Sequence, residues 1–508
     1  MNEKLYSQKK YKDLVKKIKR KIRMYPNDEI INACINYLYS PTKDNIEQLS
    51  KQPWLVLLLM KWALSEQYRI ITPKKILTNE RFNNLLKLVH DLGELVRMPS
   101  QYSHYFLFFR NMAYQQFLYQ HDLSLGHFAR QTVLFSKLPK NHSFNEVFAD
   151  KVNVDISSFL EISLCLLTKF IDRKESNVSE SWFSPLYKEF GRDTISNVLS
   201  SISTDKKKLG RILRGYNKTK GNYNEFYEQT PFLKTPFIKN NDKYYCVYPN
   251  VLYRTLEHFI YDTLRGWNAS KFMNKFGLIF EDYIKRGLSY AELDFFDQDF
   301  LCGKIEDDSK VIDFVIKEKN ANIFIDAKAV EMSYLGKVTH LADVIKDRTR
   351  DSAIKAIEQA ISVNHKLCNK SILPEIPFKN ENYLLVVTFK ELYLGNGQYF
   401  YEAIANKKID EIYNRYPKKS HIPCSNMYFI TIEEFDTLMA LIKNDIVTFE
   451  EVLRKAVEND SDAKTHKFDF TLHLRSWHEK TLLPDFLYKE SQNMFKKLEN
   501  ILTKTDNS

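Results

Sequence analysis

Two short β-branched runs carry charge where a buried strand ordinarily has none. They are Val311-Ile312-Asp313-Phe314-Val315-Ile316 and Ile323-Phe324-Ile325-Asp326-Ala327-Lys328. The polar stretch between them, Lys317 to Asn322, is centred on Lys319-Asn320. Apolar runs of this length, rich in Val, Ile and Phe and broken by a polar turn, read as a β-hairpin. Pairing Ile316 with Ile323 places Asp313 opposite Asp326, with Cβ atoms about 4.5–5.5 Å apart. Lys328 shares the face of Asp326, because strand side chains alternate. Two like charges on a mostly apolar hairpin are unfavourable unless something positive sits between them. A divalent cation held by oxygen ligands, Mg²⁺ or Mn²⁺, meets that need. The plainer reading is an edge hairpin in which Lys328 is the salt-bridge partner of both acids.

The chain of 508 residues has room for roughly two to four domains at about 150 residues each. Its apolar share of 44% suffices for globular cores, and its formal charge of +11 suits an anionic partner such as nucleic acid. A generally basic protein satisfies the same number. The six cysteines (Cys34, Cys165, Cys246, Cys302, Cys368 and Cys424) form no Cys-x-x-Cys pair, so reduced thiols in a cytoplasmic protein are expected. The polar, basic start argues against a secretory leader. The longest purely apolar run, Trp54 to Met60, stops at Lys61, and Ile156 to Ile171 is interrupted by Glu161 and Lys169. Neither is expected to span a membrane.

The first third reads helical. From Lys9 to Arg23, Tyr11, Leu14, Val15, Ile18 and Ile22 form one stripe and the lysines, Lys19 among them, fall elsewhere. That basic face is either solvated or in contact with phosphates. Further helices are expected around 28–39, 54–66, 80–97, 103–118, 121–136 and 156–172. The dense aromatics between Tyr102 and Tyr119 fit a helical core better than base stacking. Asp172 to Glu180 and Lys206-Lys207-Lys208 read as loops. A hairpin over 237–248 and a helix from Val251 to Leu264 mark a boundary region. From 271 the texture is mixed: a helix Lys271–Arg286, a strand Glu292–Phe300, the charged hairpin, a helix Ala342–Leu367, and strands Tyr383–Phe389 and Met427–Thr431. Thr431 and Glu434 form a capping-box pattern for the helix Ile432–Ile442. The tail from 448 reads mainly helical, with a loop at Glu458 to Lys467. The expected fold class is therefore α+β and multidomain. Its parts are a helical region 1–230 that binds substrate, partner or signal, a hairpin and connecting helix 231–270, a mixed-sheet α/β core 271–445 with a helical insertion near 400–416, and a helical extension 446–508.

Helix, three strands, helix, strand, with acids on the middle strands and a lysine two positions after the second, resembles the PD-(D/E)XK nuclease superfamily, the restriction-endonuclease-like fold. The likeness covers about 271–390. Glu281, in Phe276-Gly277-Leu278-Ile279-Phe280-Glu281-Asp282, looks like the family's helix acid, with Asp282 as its alternative. Asp313 stands at the first motif aspartate, preceded by Ile312 where the family has proline, and Asp326-Ala327-Lys328 matches the third-strand motif. Gln359 stands where several branches place a glutamine facing the site; a surface glutamine is the alternative.

The resemblance implies a Mg²⁺- or Mn²⁺-dependent endonuclease acting on phosphodiester bonds, most of all in DNA. Glu281, Asp313, Asp326 and the Ala327 carbonyl would ligate the metal. Lys328 would position water, stabilise developing charge, or act as a base if its pKa were depressed. Lys337, Lys346, Arg348 and Arg350, just past the hairpin, would hold the substrate backbone. A large helical region joined to such a core resembles bacterial restriction or anti-phage effectors, with the helices available for a protein partner or oligomer. The alternatives are a non-cleaving nucleic-acid-binding or scaffolding protein and an RNA or tRNA nuclease. Glu331 is expected to point elsewhere. No Gly-Lys-Ser/Thr phosphate loop or Gly-x-Ser-x-Gly elbow occurs, so neither an ATP-driven motor nor acyl transfer is indicated.

Overall fold

The computed structural model describes residues 2–66, 75–96, 98–120, 124–172, 174–215, 223–305, 311–369, 372–479 and 482–506, with side chains from residue 8 to residue 500. Position 97 and positions 121–123 of the expected helices, and position 173 of the expected loop, lie outside the described residues. The chain forms two compact units. Unit 1 comprises Met1–Met98, Asn111–Trp267 and Lys489–Ser508; unit 2 comprises Pro99–Arg110 and Asn268–Tyr488. Residues 446–488 thus pack with the mixed α/β part and the final segment with the helical part.

Unit 1 is mainly helical. The first helix, Asn2–Ile22, buries Tyr11, Val15, Ile18 and Ile22 as the apolar stripe predicts. Lys19 departs from the expected solvated face: it is buried, with Nζ 3.6 Å from Glu66 and 5.7 Å from the Trp62 ring centre. The helix Pro53–Ser65 is buried on nearly every side, which its almost unbroken apolar sequence requires. Lys206-Lys207-Lys208 is not a loop but opens the helix Lys206–Gly215. Asp205 caps it by accepting from the Lys208 N–H at 2.8 Å, and Leu209 and Leu213 face inward. A small sheet completes the unit: β1 (Asn177–Ser179), β2 (Ser203–Asp205), β3 (Phe237–Asn240) and β4 (Lys243–Cys246), in the order β1-β4-β3-β2.

Unit 2 is built on five strands in sequential order: β5 (Phe295–Asp297), β6 (Phe314–Lys317), β7 (Ala321–Lys328), β8 (Glu381–Thr388) and β9 (Met427–Thr431). The first three are antiparallel neighbours, and β7, β8 and β9 run parallel. The expected strand Glu292–Phe300 shrinks to three residues. Glu292 takes a φ of +55°, and Asp297 caps a short helix, Gln298–Cys302, by accepting from the Phe300 N–H at 3.0 Å. The β6–β7 register pairs Ile316 with Ile323.

β7 lies at the centre, buried from Ala321 to Asp326. A parallel neighbour requires a long crossover, and residues 342–367 supply it as one helical run with a π-turn at Arg350–Ile354. The helix Ala269–Tyr290 packs against β7 and against the helix Ile432–Lys443. The latter starts with the Thr431/Glu434 capping box. The expected insertion is helical, with a π-turn at Tyr401–Ala405 followed by the helix Asn406–Tyr413. No described helix is long and apolar enough to cross a membrane, and all six cysteines are free thiols.

Candidate functional site

Strand alternation puts Asp326 and Lys328 on one face of β7, and the Lys328 ammonium sits 2.6 Å from Asp326 Oδ2. Asp326 is fully buried, and neither carboxylate oxygen accepts a hydrogen bond of ordinary geometry among the described residues. Asp313 lies one residue before β6, across from Asp326 in the continued register. Its Oδ2 accepts the Ala327 N–H at 2.7 Å. The contact that Ala327 makes with the acids therefore runs through its N–H, whereas a metal ligand would be its carbonyl.

Glu281 comes from the helix Ala269–Tyr290. Asn268 caps that helix by accepting from the Lys271 N–H at 3.0 Å. Phe272, Phe276, Phe280, Tyr283 and Ile284 form its buried stripe. Phe276 and Phe280 pack edge-on against Phe389, with ring centres 5.0 and 6.2 Å away. This rotation leaves Glu281 half-buried on the flank of the stripe and turns Asp282 into solvent. Glu281 therefore faces the sheet acids more closely than Asp282 does. Gln359 is buried on the crossover helix, and its Nε2 donates to the Val311 carbonyl two residues before Asp313. Its Oε1 has no partner among the described residues.

The electrostatics bind these groups into one cluster. Burial, and then the charge of Asp326, hold the Asp313 carboxyl well above the usual range, with Lys328 and the Ala327 N–H opposing. Burial raises the Glu281 carboxyl, reinforced by Asp282, Asp299 and Asp326. Burial alone would lower Lys328, but Asp326, Asp313 and Glu281 outweigh it and its pKa is raised. A base role for Lys328 was conditional on a depressed pKa; here its pKa is raised and the side chain is held as an ammonium. Asp299, on the short helix after β5, was not anticipated. The carboxylate–lysine pair one turn on from Glu281, Lys285 and Asp297 at 2.6 Å, ties that corner together. Only the strand-end acidic run Asp297-Gln298-Asp299 hinted at it.

Among the described residues no three His, Cys, Asp or Glu side chains are spaced as a preformed metal centre. Two of the four residues of the expected phosphate-binding set are paired with neighbouring aspartates. Lys346 contacts Asp343 at 2.6 Å, Arg350 contacts Asp351 at 3.1 Å, Lys337 is half-buried, and Arg348 is exposed. Glu331 points away from the acids to Lys390, at 2.9 Å. No family model, curated protein or solved structure matches this chain.

A stability consequence follows from Asp313. Its folded pKa lies above its ordinary value of 3.8, so its favourable contribution is fully present at low pH. That contribution is lost as pH rises from the ordinary value through the folded one. Asp313→Asn keeps an oxygen for the Ala327 N–H and removes the buried charge. Urea melts should show the variant more stable than wild type at pH 7, by on the order of 1 kcal/mol or more, and equal to it near pH 3. A less stable variant at pH 7 would contradict the charge excess.

Proposed function

We propose that unit 2 is a metal-dependent nuclease of the PD-(D/E)XK kind, hydrolysing phosphodiester bonds with DNA as its preferred substrate. The observation that carries this reading is a charge imbalance: Asp313, Asp326 and Glu281 share one ammonium, Lys328, at a mostly buried position. Uncompensated buried charge costs stability, so its retention argues for a use. The run of elements from the Glu281 helix through β7 and the crossover to β8 agrees with the superfamily's core. The biological setting we attach to it is bacterial defence or restriction.

The donor set suits a hard divalent cation. Asp326 offers a buried carboxylate whose Oδ2 lies 2.6 Å from the Lys328 ammonium and whose Oδ1 has no hydrogen-bond partner among the described residues, and Asp313 and Glu281 add carboxylates whose pKa values are raised first by burial and then by neighbouring acids. These three side chains would hold Mg²⁺ or Mn²⁺, which when bound lowers the pKa of a coordinated water and neutralises phosphoryl charge. Lys328 keeps its proton and serves as an electrostatic donor to negative charge developing on the phosphate. The Ala327 N–H orients Asp313. Gln359 anchors the backbone at Val311, so the crossover helix fixes the approach to the acidic pair.

The test assays the full chain on duplex DNA, single-stranded DNA and RNA side by side, with Mg²⁺, Mn²⁺ or EDTA, alongside calorimetric titration of each metal. Metal-dependent cleavage, fastest on duplex DNA, is expected. Faster RNA cleavage would move the substrate assignment to an RNA nuclease. Nucleic-acid binding with no cleavage and no heat from either metal would refute the enzyme and leave a binding module.

A further inference from the structure

The first helix, Asn2–Ile22, presents an unbalanced charge on the side that its apolar stripe leaves outward. Between positions 9 and 20 the exposed residues are six cations and one acid: Lys9, Lys10, Lys12, Lys16, Lys17 and Arg20 against Asp13. Lys9, Lys12, Lys16 and Arg20 follow one another at helical spacing and form a row about 16 Å long. Like charges so placed work against the helix. Lys16 is paired with Asp13 at 3.5 Å, but both side chains are more than half exposed, where such a pair contributes little. On the opposite side Tyr11, Val15, Ile18 and Ile22 are buried and hold the helix in the core of unit 1. The row is therefore carried by a fixed element.

One end of the row runs into apolar surface. Met24, four residues beyond Arg20 in the turn that closes the helix, is 39% exposed. Its carbonyl accepts the Lys75 N–H at 2.8 Å, which brings the next residue, Ile76, to the same end of the helix. Ile76 is 74% exposed. A surface shaped for nucleic acid adds amide, hydroxyl and aromatic side chains, which position phosphates and stack on bases. The exposed positions from 9 to 20 hold none of these. Five of the six cations are lysines, point charges on flexible stems that suit a diffuse anionic sheet. Lysines beside exposed apolar side chains fit the boundary layer of a membrane.

We propose that this face of the first helix docks on an anionic lipid bilayer, with its cations over the headgroups and Met24 and Ile76 in the interfacial layer. The contact is peripheral: the helix lies on the bilayer and keeps its apolar stripe in the protein. The proposal concerns unit 1 alone and stands independently of the nuclease reading.

The full chain is co-sedimented with phosphatidylcholine vesicles, with and without about 30% phosphatidylserine, and titrated in parallel with duplex DNA in EDTA. Wild type should bind the anionic vesicles and not the neutral ones, and raised salt should release it. The triple variant Lys12→Gln, Lys16→Gln, Arg20→Gln should bind anionic vesicles roughly a hundredfold more weakly, because the attraction sums over the basic residues near the surface. The pair Met24→Ser, Ile76→Ser should bind them about tenfold more weakly with its DNA affinity unchanged, since it removes apolar contact and no charge. Both variants should melt no lower than wild type, because neither touches the buried stripe. Equal binding to neutral and anionic vesicles, or none to either, overturns the proposal. So does full vesicle affinity in either variant; a triple variant that loses DNA and keeps vesicles would make the row a nucleic-acid surface.

Discussion

Asp326→Asn should leave a folded protein whose metal-dependent cleavage is at least about 10³-fold slower, equivalent to about 4 kcal/mol of transition-state stabilisation. The substitution is nearly isosteric and sits at a fully buried position, so the sheet has no cause to rearrange. Asp313 and Glu281 still face the Lys328 ammonium, which is therefore not stranded. What disappears is a charge at the point where β7 brings carboxylate and ammonium within 2.6 Å. Lys328→Met should cost a similar factor by a different route, leaving metal affinity intact or raised because an ammonium no longer competes for the acids. Calorimetry separates the two variants: Asp326→Asn should bind Mg²⁺ weakly, and Lys328→Met at least as well as wild type. Cleavage within tenfold of wild type in either variant, with an unchanged melting temperature, would remove these residues from the site.

The parts of this arrangement that could be read from the residues are the local ones. The Ile316–Ile323 register follows from the length of the polar turn, and the Asp326/Lys328 shared face from strand alternation. The Thr431/Glu434 cap follows from spacing alone. Helical periodicity also separates Glu281 from Asp282 once Phe276, Phe280, Tyr283 and Ile284 are taken as the core stripe. Features that depend on competition between neighbours escaped. Asp297 ended an apparent strand by capping a helix, and Asp205 turned a lysine run into a helix start. Two of the basic residues after β7, Lys346 and Arg350, are ion-paired to Asp343 and Asp351, which stand three and one positions away in the chain. A sum over charges cannot reveal such pairing, whereas i,i+3 spacing reveals the first of the two. Gln359 was legible as a position but not as a contact, because its partner, the Val311 carbonyl, is 48 residues distant.

Lys61→Met should destabilise unit 1 by about 3–5 kcal/mol. Lys61 interrupts the apolar helix Pro53–Ser65 and is 2% exposed; its Nζ lies 3.1 Å from Glu225 and 2.9 Å from Glu228. The Trp62 indole donates to the same Glu225 oxygen at 2.9 Å, and the other oxygen of Glu225 is buried without a partner among the described residues. Burial would raise Glu225, yet the attraction of Lys61 wins and its pKa is lowered below 4.5. Burial would likewise lower Lys61, but the two glutamates hold it above 10.5. The Glu225 contribution is therefore present above its ordinary pKa and lost as pH falls through the folded value. The Lys61 contribution is present below its ordinary pKa and lost as pH rises through the folded one. Methionine keeps the volume and removes the cation, so the buried Glu225 loses the attraction that holds its pKa down, and that pKa climbs. The variant should then gain stability on acidification from pH 7 toward pH 4, whereas the wild-type cluster gives no such gain because its Glu225 contribution is lost as pH falls, and the gap between them should narrow. Urea midpoints at both pH values measure this. Adding Glu225→Gln and Glu228→Gln to Lys61→Met should recover most of the loss, because the penalty belongs to unpaired charge and not to lost packing. A pH-independent gap, or no recovery in the triple variant, would show that Lys61 acts through its methylene stem alone.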